Sequence, residues 1–311
     1  MKRTLIIAAA ALAAASFTAK AQTAGFLDVN PDPLSLGMAG TGTVMEATPF
    51  AMWNNIASTA LDEQKFQIGA AYSLWQPSMT ANNTVAVAGY GRVARFMTIS
   101  AGVKYFGSKP FDITDGSTGL VTGQFTPVDL EAGIGLGFRI LPILSLGANV
   151  SYVHSDIGGP EKGGAVSADF GALLDLKFMR VGLTAENIGS KISYGYGSYN
   201  LPANVNLGVG TIQRFGESDK HALAVNLQAG MTLYEPSVFA GLGAQYTYND
   251  FFRVSAGYHY GDAEKQFFGS YASVGAGIKV LGLMINAAYL IGTDKDSPLT
   301  NTFTIGLGYA F

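Results

Sequence analysis

From residue 64 onward the chain is written almost throughout in a period of two. Large apolar side chains alternate with small or polar ones in runs of ~10 residues, and turn-type residues separate the runs. Successive side chains of a strand point to opposite faces, so each run carries one apolar face and one mixed face. The last run is the plainest case. Phe303, Ile305, Leu307, Tyr309 and Phe311 fall on one side, and Thr304, Gly306, Gly308 and Ala310 on the other. Another run sets Val128, Leu130, Ala132, Ile134, Leu136 and Phe138 against Asp129, Glu131, Gly133, Gly135, Gly137 and Arg139, a set that could not face lipid.

Composition limits how such strands can be housed. Charged residues make up 13%, aromatics 12%, and 40 residues are glycine. A soluble domain carries nearer ~25% charged residues. Past the N-terminal leader, no window holds the ~18 uninterrupted apolar residues of a spanning helix. Strands closed into a barrel resolve the conflict, because they satisfy every backbone group and show lipid only one face. A soluble sandwich or propeller would instead need a polar outer face on these strands. The candidate strands are 65–75, 83–91, 95–106, 127–139, 143–154, 165–178, 179–187, 203–213, 220–233, 236–248, 251–260, 269–280, 281–291 and 301–311, an even set of about fourteen. Connections after odd-numbered strands are long (76–82, 107–126, 155–164, 188–202, 261–268, 292–300), with 234–235 the short exception. Those after even-numbered strands are tight or nearly absent. Outer-membrane barrels have short periplasmic turns and long external loops, which predicts a Gram-negative outer-membrane location with both barrel termini periplasmic.

The N-terminus predicts export. Lys2 and Arg3 precede an apolar run from Leu5 to Phe17, and Ala19-Lys20-Ala21 offers a small-x-small cleavage site, so residues 1–21 read as a signal peptide. The chain has no cysteine, which excludes a lipid-anchored cysteine, a disulfide and a thiolate metal site. Net charge is -3, giving no support for nucleic-acid binding. Residues 22–63 do not alternate. They contain Pro31-Asp32-Pro33, a glycine-rich run and short helix-like pieces from Val44 to Leu61. A barrel of this size leaves a lumen, and the segment is too apolar to stay solvated, so it is expected inside as a helical plug; a periplasmic arm is the alternative. The expected fold is therefore all-β, a 14-stranded antiparallel transmembrane β-barrel over 64–311 with a small N-terminal plug.

Within that segment, Leu34-Ser35-Leu36-Gly37-Met38-Ala39-Gly40-Thr41-Gly42 and then Ala51-Met52-Trp53-Asn54-Asn55-Ile56-Ala57-Ser58 resemble the opening of the PorV/PorQ family, part of the FadL-like group of outer-membrane proteins. Members of the family show a glycine-rich run followed by an aromatic-N-P-A motif. Here Asn55-Ile56-Ala57 lacks the proline, which would have fixed the backbone and removed a donor. The resemblance implies a fourteen-stranded barrel with an N-terminal hatch, and a plug motif of Gly37, Met38, Gly40, Gly42, Trp53, Asn54, Asn55 and Ala57. It implies two roles, neither enzymatic. One is a component of type IX protein secretion, docking a larger translocon barrel or secreted cargo through outer loops 107–126 and 188–202. The other is a FadL-like channel for hydrophobic small molecules such as fatty acids, with a cavity or a gap in the wall beside Trp53 as its mark. The closing strand and its terminal Phe311 also resemble the signal read by the barrel-assembly machinery during insertion into outer-membrane lipid.

No catalytic constellation stands out. His154, His221 and His259 lie on different strands without ligand spacing, so no metal or other cofactor is expected, and there is no G-x-S-x-G elbow. Inward-facing charges are more informative: Lys104, Asp129, Glu131, Arg139, Asp169, Asp175, Lys177, Arg180, Glu186, Arg253 and Lys279, with His259 among them. Their expected role is to pair with one another and with the plug, since a buried charge must be paired. The functional alternative is a polar constriction, or an Arg or Lys anchor for a carboxylate. Aromatic residues at strand ends, including Tyr72, Trp75, Tyr105 and Tyr289, are expected in the interfacial girdles.

Overall fold

The computed structural model describes residues 24–77, 80–158, 161–176, 178–195, 197–262, 269–294 and 297–311. The expected signal peptide and Lys177 lie outside them. The strands are β1 (Phe66–Trp75), β2 (Asn82–Ala94), β3 (Met97–Gly107), β4 (Phe111–Thr114), β5 (Val121–Phe125), β6 (Val128–Leu141), β7 (Leu144–Asp156), β8 (Gly163–Asp175), β9 (Arg180–Gly189), β10 (Ile192–Ser193), β11 (Ser198–Tyr199), β12 (Asn204–Phe215), β13 (His221–Thr232), β14 (Val238–Tyr248), β15 (Phe252–Tyr260), β16 (Tyr271–Val280), β17 (Leu283–Gly292) and β18 (Thr302–Ala310). Fourteen of them close a barrel in which each pairs antiparallel with its neighbours and β18 returns to β1. The seam runs from Gln67 opposite Ala310 to Leu74 opposite Phe303. At its end, the amides of Lys65 and Phe66 donate to the Phe311 carbonyl at 2.9 and 3.0 Å.

The alternation is realised as the sequence predicts. Phe303, Ile305, Leu307, Tyr309 and Phe311 are exposed, while Thr302, Thr304 and Ala310 are buried. Ile68, Val87, Ile134, Val150, Leu207 and Leu227 continue the exposed apolar belt around the wall, a surface that lipid solvates and water does not. Short connections gather at the mouth holding Phe66 and Phe311, and long ones at the opposite mouth. Two long connections carry hairpins of their own, β4 with β5 and β10 with β11. The connection between β13 and β14 is 233–237, longer than the predicted 234–235.

Residues 24–64 fill the lumen. Helix α1 (Pro33–Gly37) starts where it does because the Asp32 side chain accepts from the Leu34 amide at 3.0 Å and Pro33 needs no amide partner in the first turn. It ends where Ala39 and Gly40 turn left-handed, the Gly40 amide reaching back to the Ser35 carbonyl at 2.9 Å. Single 3-10 turns follow at Gly42–Val44 and Ala51–Trp53, then helix α2 (Ser58–Leu61). The wall's inward glycines make room for this backbone. A Cβ at Gly182 would lie 2.3 Å from the Thr43 carbonyl oxygen, and one at Gly243 2.5 Å from that of Met38. The largest apolar cluster sits at the long-loop mouth, where Phe26, Leu27, Val29 and Leu36 meet Trp75, Phe106, Tyr271 and Leu290.

Candidate functional site

The plug divides the lumen into two chambers. Toward the long-loop mouth is a cavity of about 510 Å³ lined by Trp53, Trp75, Phe239 and Tyr271, with Asp28, Glu186 and Glu235 among its polar residues. Toward the short-turn mouth is one of about 470 Å³, whose lining includes Arg180, Arg214, Arg253 and Lys279. Residues 34–44 form part of the partition, together with 50–58. Leu36, Gly40, Gly42 and Thr43 line the first chamber, and Leu34, Met38 and Val44 the second.

The structure assigns a place to every residue of the plug motif. Gly37 packs on the wall, where a Cβ would meet Ser255 Oγ at 2.6 Å. Met38 is buried, and Gly40 has a φ of +74° with Tyr271 beside it. Gly42 abuts Asn54, whose Nδ2 donates to Asp32 Oδ2 at 2.9 Å. Thr48 donates to the same oxygen at 2.7 Å, so Asp32 ties three parts of the plug together. Burial pushes the Asp32 carboxyl up, and these hydrogen bonds oppose the rise. Asn55 pins the turn at Ile56: its Nδ2 donates to the carbonyls of Thr43 and Ala172 at 2.8 and 3.1 Å, and its Oδ1 accepts from the Ala57 amide at 3.1 Å. Trp53 stands against the wall beside Gly102 and reaches the first chamber.

The lumen charges fall into two groups. In the long-loop half, Lys104 and Glu131 form an ion pair of 3.0 Å, 1% and 3% exposed. Lys104 Nζ also donates to the carbonyls of Leu27 and Val29 at 3.0 and 3.3 Å and lies over the rings of Phe26 and Trp53. Asp169 accepts from the Asn187 amide at 2.5 Å, Glu186 accepts from Thr184 at 2.7 Å, and Asp129 faces Ser155 in register. Asp28, which the alternation could not reveal because it lies on no strand, joins them and accepts from Asn187 at 3.1 Å. Burial pushes its carboxyl up to about 7 against the pull of Lys104. In the short-turn half, Arg180 pairs with Asp175 at 2.9 Å and Arg139 donates to the Leu61 carbonyl at 3.2 Å. Arg253 and Lys279 line the second chamber.

One expectation needs correction: Trp75 is not in a girdle; it shares the inward parity of Ser73 and Ala71 and is 1% exposed. Of the basic side chains suggested as a carboxylate anchor, Arg180, Arg253 and Lys279 line the second chamber, while the described lining of the first contains neither lysine nor arginine. His259 does face inward, stacked between Phe239 and Tyr271 at 5.8 and 4.9 Å, whereas His154 and His221 point outward. The wall beside Trp53 is unbroken, since β3 pairs continuously with β2 from Thr98 to Gly107 and with β6 throughout. Register shifts occur elsewhere in the wall, and one of them borders the first chamber. Between β8 and β9 the register shifts so that Glu186 and Asn187 stand opposite Asp169, a bulge with Asn187 at φ +57°. A gap of about 20 Å³ runs from Trp53 to this bulge and to Phe170, whose ring is exposed.

A closed fourteen-stranded barrel stoppered by its own N-terminal segment is the class of fold found in solved hydrocarbon-transporting barrels. The chain is similar to the Ralstonia pickettii toluene transporter TbuX, with a TM-score of 0.60 and 15% identity over 89% of this chain and 97% of that one. It is similar to the Pseudomonas putida toluene transporter TodX, with a TM-score of 0.65 and 13% identity over 89% and 96%. A Pseudomonas aeruginosa FadL homologue matches at a TM-score of 0.54 and 14% identity over 95% and 99%. At these identities the likeness is one of fold. No protein-family model and no curated protein sequence matches this chain.

Proposed function

We propose that this protein is an outer-membrane channel for hydrophobic small molecules, with both barrel termini in the periplasm. The observation that carries the reading is the cavity beside Trp53 and Trp75, of about 510 Å³ and separated from a second chamber by the plug, residues 34–44 among it. Its volume is that of a small-molecule site, and its walls combine ring faces with a few placed polar groups. A ligand entering from the long-loop mouth rests between plug and wall and moves on when the 34–44 segment shifts. The names of the similar solved proteins, toluene transporters and a FadL homologue, support the same substrate class.

The type IX secretion role implied by the PorV/PorQ resemblance has one physical basis, the hairpin β4–β5, which exposes Phe111, Ile113, Leu120 and Val121 at the long-loop mouth. Flux separates the two readings. Proteoliposomes containing the protein should take up an aromatic hydrocarbon faster than protein-free liposomes. Equal rates would remove the channel and leave the hairpin as a docking element for a partner barrel or secreted cargo.

A further inference from the structure

We propose that ligands enter the long-loop chamber beside the β13–β14 turn, residues 233–237, and pass Glu235 and then Phe239 on the way in. This rests on the channel reading and places its doorway. Elsewhere the long-loop mouth is shut by its own connections. Ile192, Tyr194 and Leu201, in the connection after β9, and Leu299, in the connection after β17, are all buried, in one apolar cluster with Phe26 and Leu27 of the plug. Wall and connection are pressed together there: a Cβ at Gly163 would lie 2.7 Å from the Ile192 side chain, and one at Gly189 3.0 Å from that of Leu201. The β4–β5 hairpin is no part of this seal, since Phe111, Ile113, Leu120 and Val121 stand exposed.

The turn 233–237 is too short to fold over the lumen. Among the described residues that line the chamber, Pro202 and Glu235 are the two that lie in connections between strands, and Pro236, next to Glu235, is exposed. The chamber therefore reaches the surface at this turn. The frame of the turn is fixed. The Thr232 amide donates to the Ser237 carbonyl at 3.0 Å, the Ser237 amide donates to Thr232 Oγ1 at 2.9 Å, and the Leu233 amide donates to the Ala203 carbonyl at 2.8 Å. The Glu235 side chain, by contrast, has no hydrogen bond or ion pair among the described residues, and it is partly exposed. A rigid rim with one movable side chain admits a guest without unfolding a connection. Just inside, the Phe239 ring leans over Gly230, where a Cβ would lie 2.3 Å from it. Phe239 stacks on His259 at 5.8 Å, and His259 on Tyr271 at 4.9 Å, beside Gly40 of the plug. The charge of Glu235 stays solvated at the rim, and the rings behind it offer a planar apolar guest a continuous line of contact down to the partition.

Because the chain contains no cysteine, single thiols can be placed at chosen points of the mouth. Glu235→Cys, Lys191→Cys in the connection after β9, and Gly116→Cys between β4 and β5 are each divided in two. One half is reacted to completion with a bulky polyethylene-glycol maleimide, and both halves are reconstituted into proteoliposomes. Lys191 is exposed and Gly116 has nothing within 4 Å, so both controls accept the label. Heat-modifiable gel mobility verifies that each labelled barrel stays folded. Aromatic hydrocarbon uptake by labelled Glu235→Cys is expected to fall to the level of protein-free liposomes, while labelled Lys191→Cys and Gly116→Cys keep the rates of their unlabelled halves. Full uptake through labelled Glu235→Cys overturns the doorway, and so does an equal loss at all three positions. No uptake by the unlabelled wild-type chain would remove the channel reading and the doorway with it.

Discussion

The two chambers are built from the same wall and the same plug, yet they handle charge in opposite ways. On the long-loop side Lys104 is locked in a buried pair, with Lys104 and Glu131 1% and 3% exposed. On the short-turn side the pairs are partly open to water, Arg180 and Asp175 at 24% and 28% exposure and Arg214 and Asp250 at 43% and 67%. A buried pair is costly to break because it strands a charge, whereas an exposed pair contributes little. The two ends of the lumen therefore differ in how tightly paired charge is held.

The largest effect should come from the buried pair. Glu131→Gln strands Lys104 and is expected to lower stability in chemical denaturation by ~3–5 kcal/mol. Next is pH, acting through Asp28. Its carboxyl is pushed up to about 7 in the folded chain, so between about pH 4 and 7 the folded state holds a proton that the unfolded state has lost. Stability therefore falls as pH rises through that window, by roughly 2–3 kcal/mol between pH 5 and 8, and Asp28→Asn should flatten the profile. A smaller effect is expected from Gly182→Val, whose Cβ would lie 2.3 Å from the Thr43 carbonyl oxygen. Overpacking there costs ~1–3 kcal/mol and should open residues near Thr43 to protease, while Gly116→Val, with nothing within 4 Å, should change neither. The smallest is Arg214→Ala, at ~0–1 kcal/mol. A large loss there would mean that the short-turn side is as tightly built as the other.

The barrel was legible because a closed sheet leaves each strand two unlike solvents, and period-two alternation records both. The lumen glycines and inward charges followed from the same parity, and parity also places Trp75 inside with Ser73; its position at a strand end drew it toward the girdle. The chamber itself was less legible. Asp28 lies on the plug and Glu235 in a turn, where no periodicity reports direction. Asp32 did carry a local signal, an acceptor just before Pro33 at a helix start. The β8–β9 bulge carried none, because a register shift depends on pairing and not on the pattern within either strand.

In the proposed channel, passage requires the plug to move against the wall. Because the chain contains no cysteine, Ala39→Cys with Ser273→Cys can introduce a single tether where the Ala39 amide and Ser273 Oγ already lie 3.0 Å apart. Hydrocarbon flux into proteoliposomes should stop when this disulfide forms and return on reduction. Undiminished flux through the oxidised, fully tethered protein would show that the plug need not move.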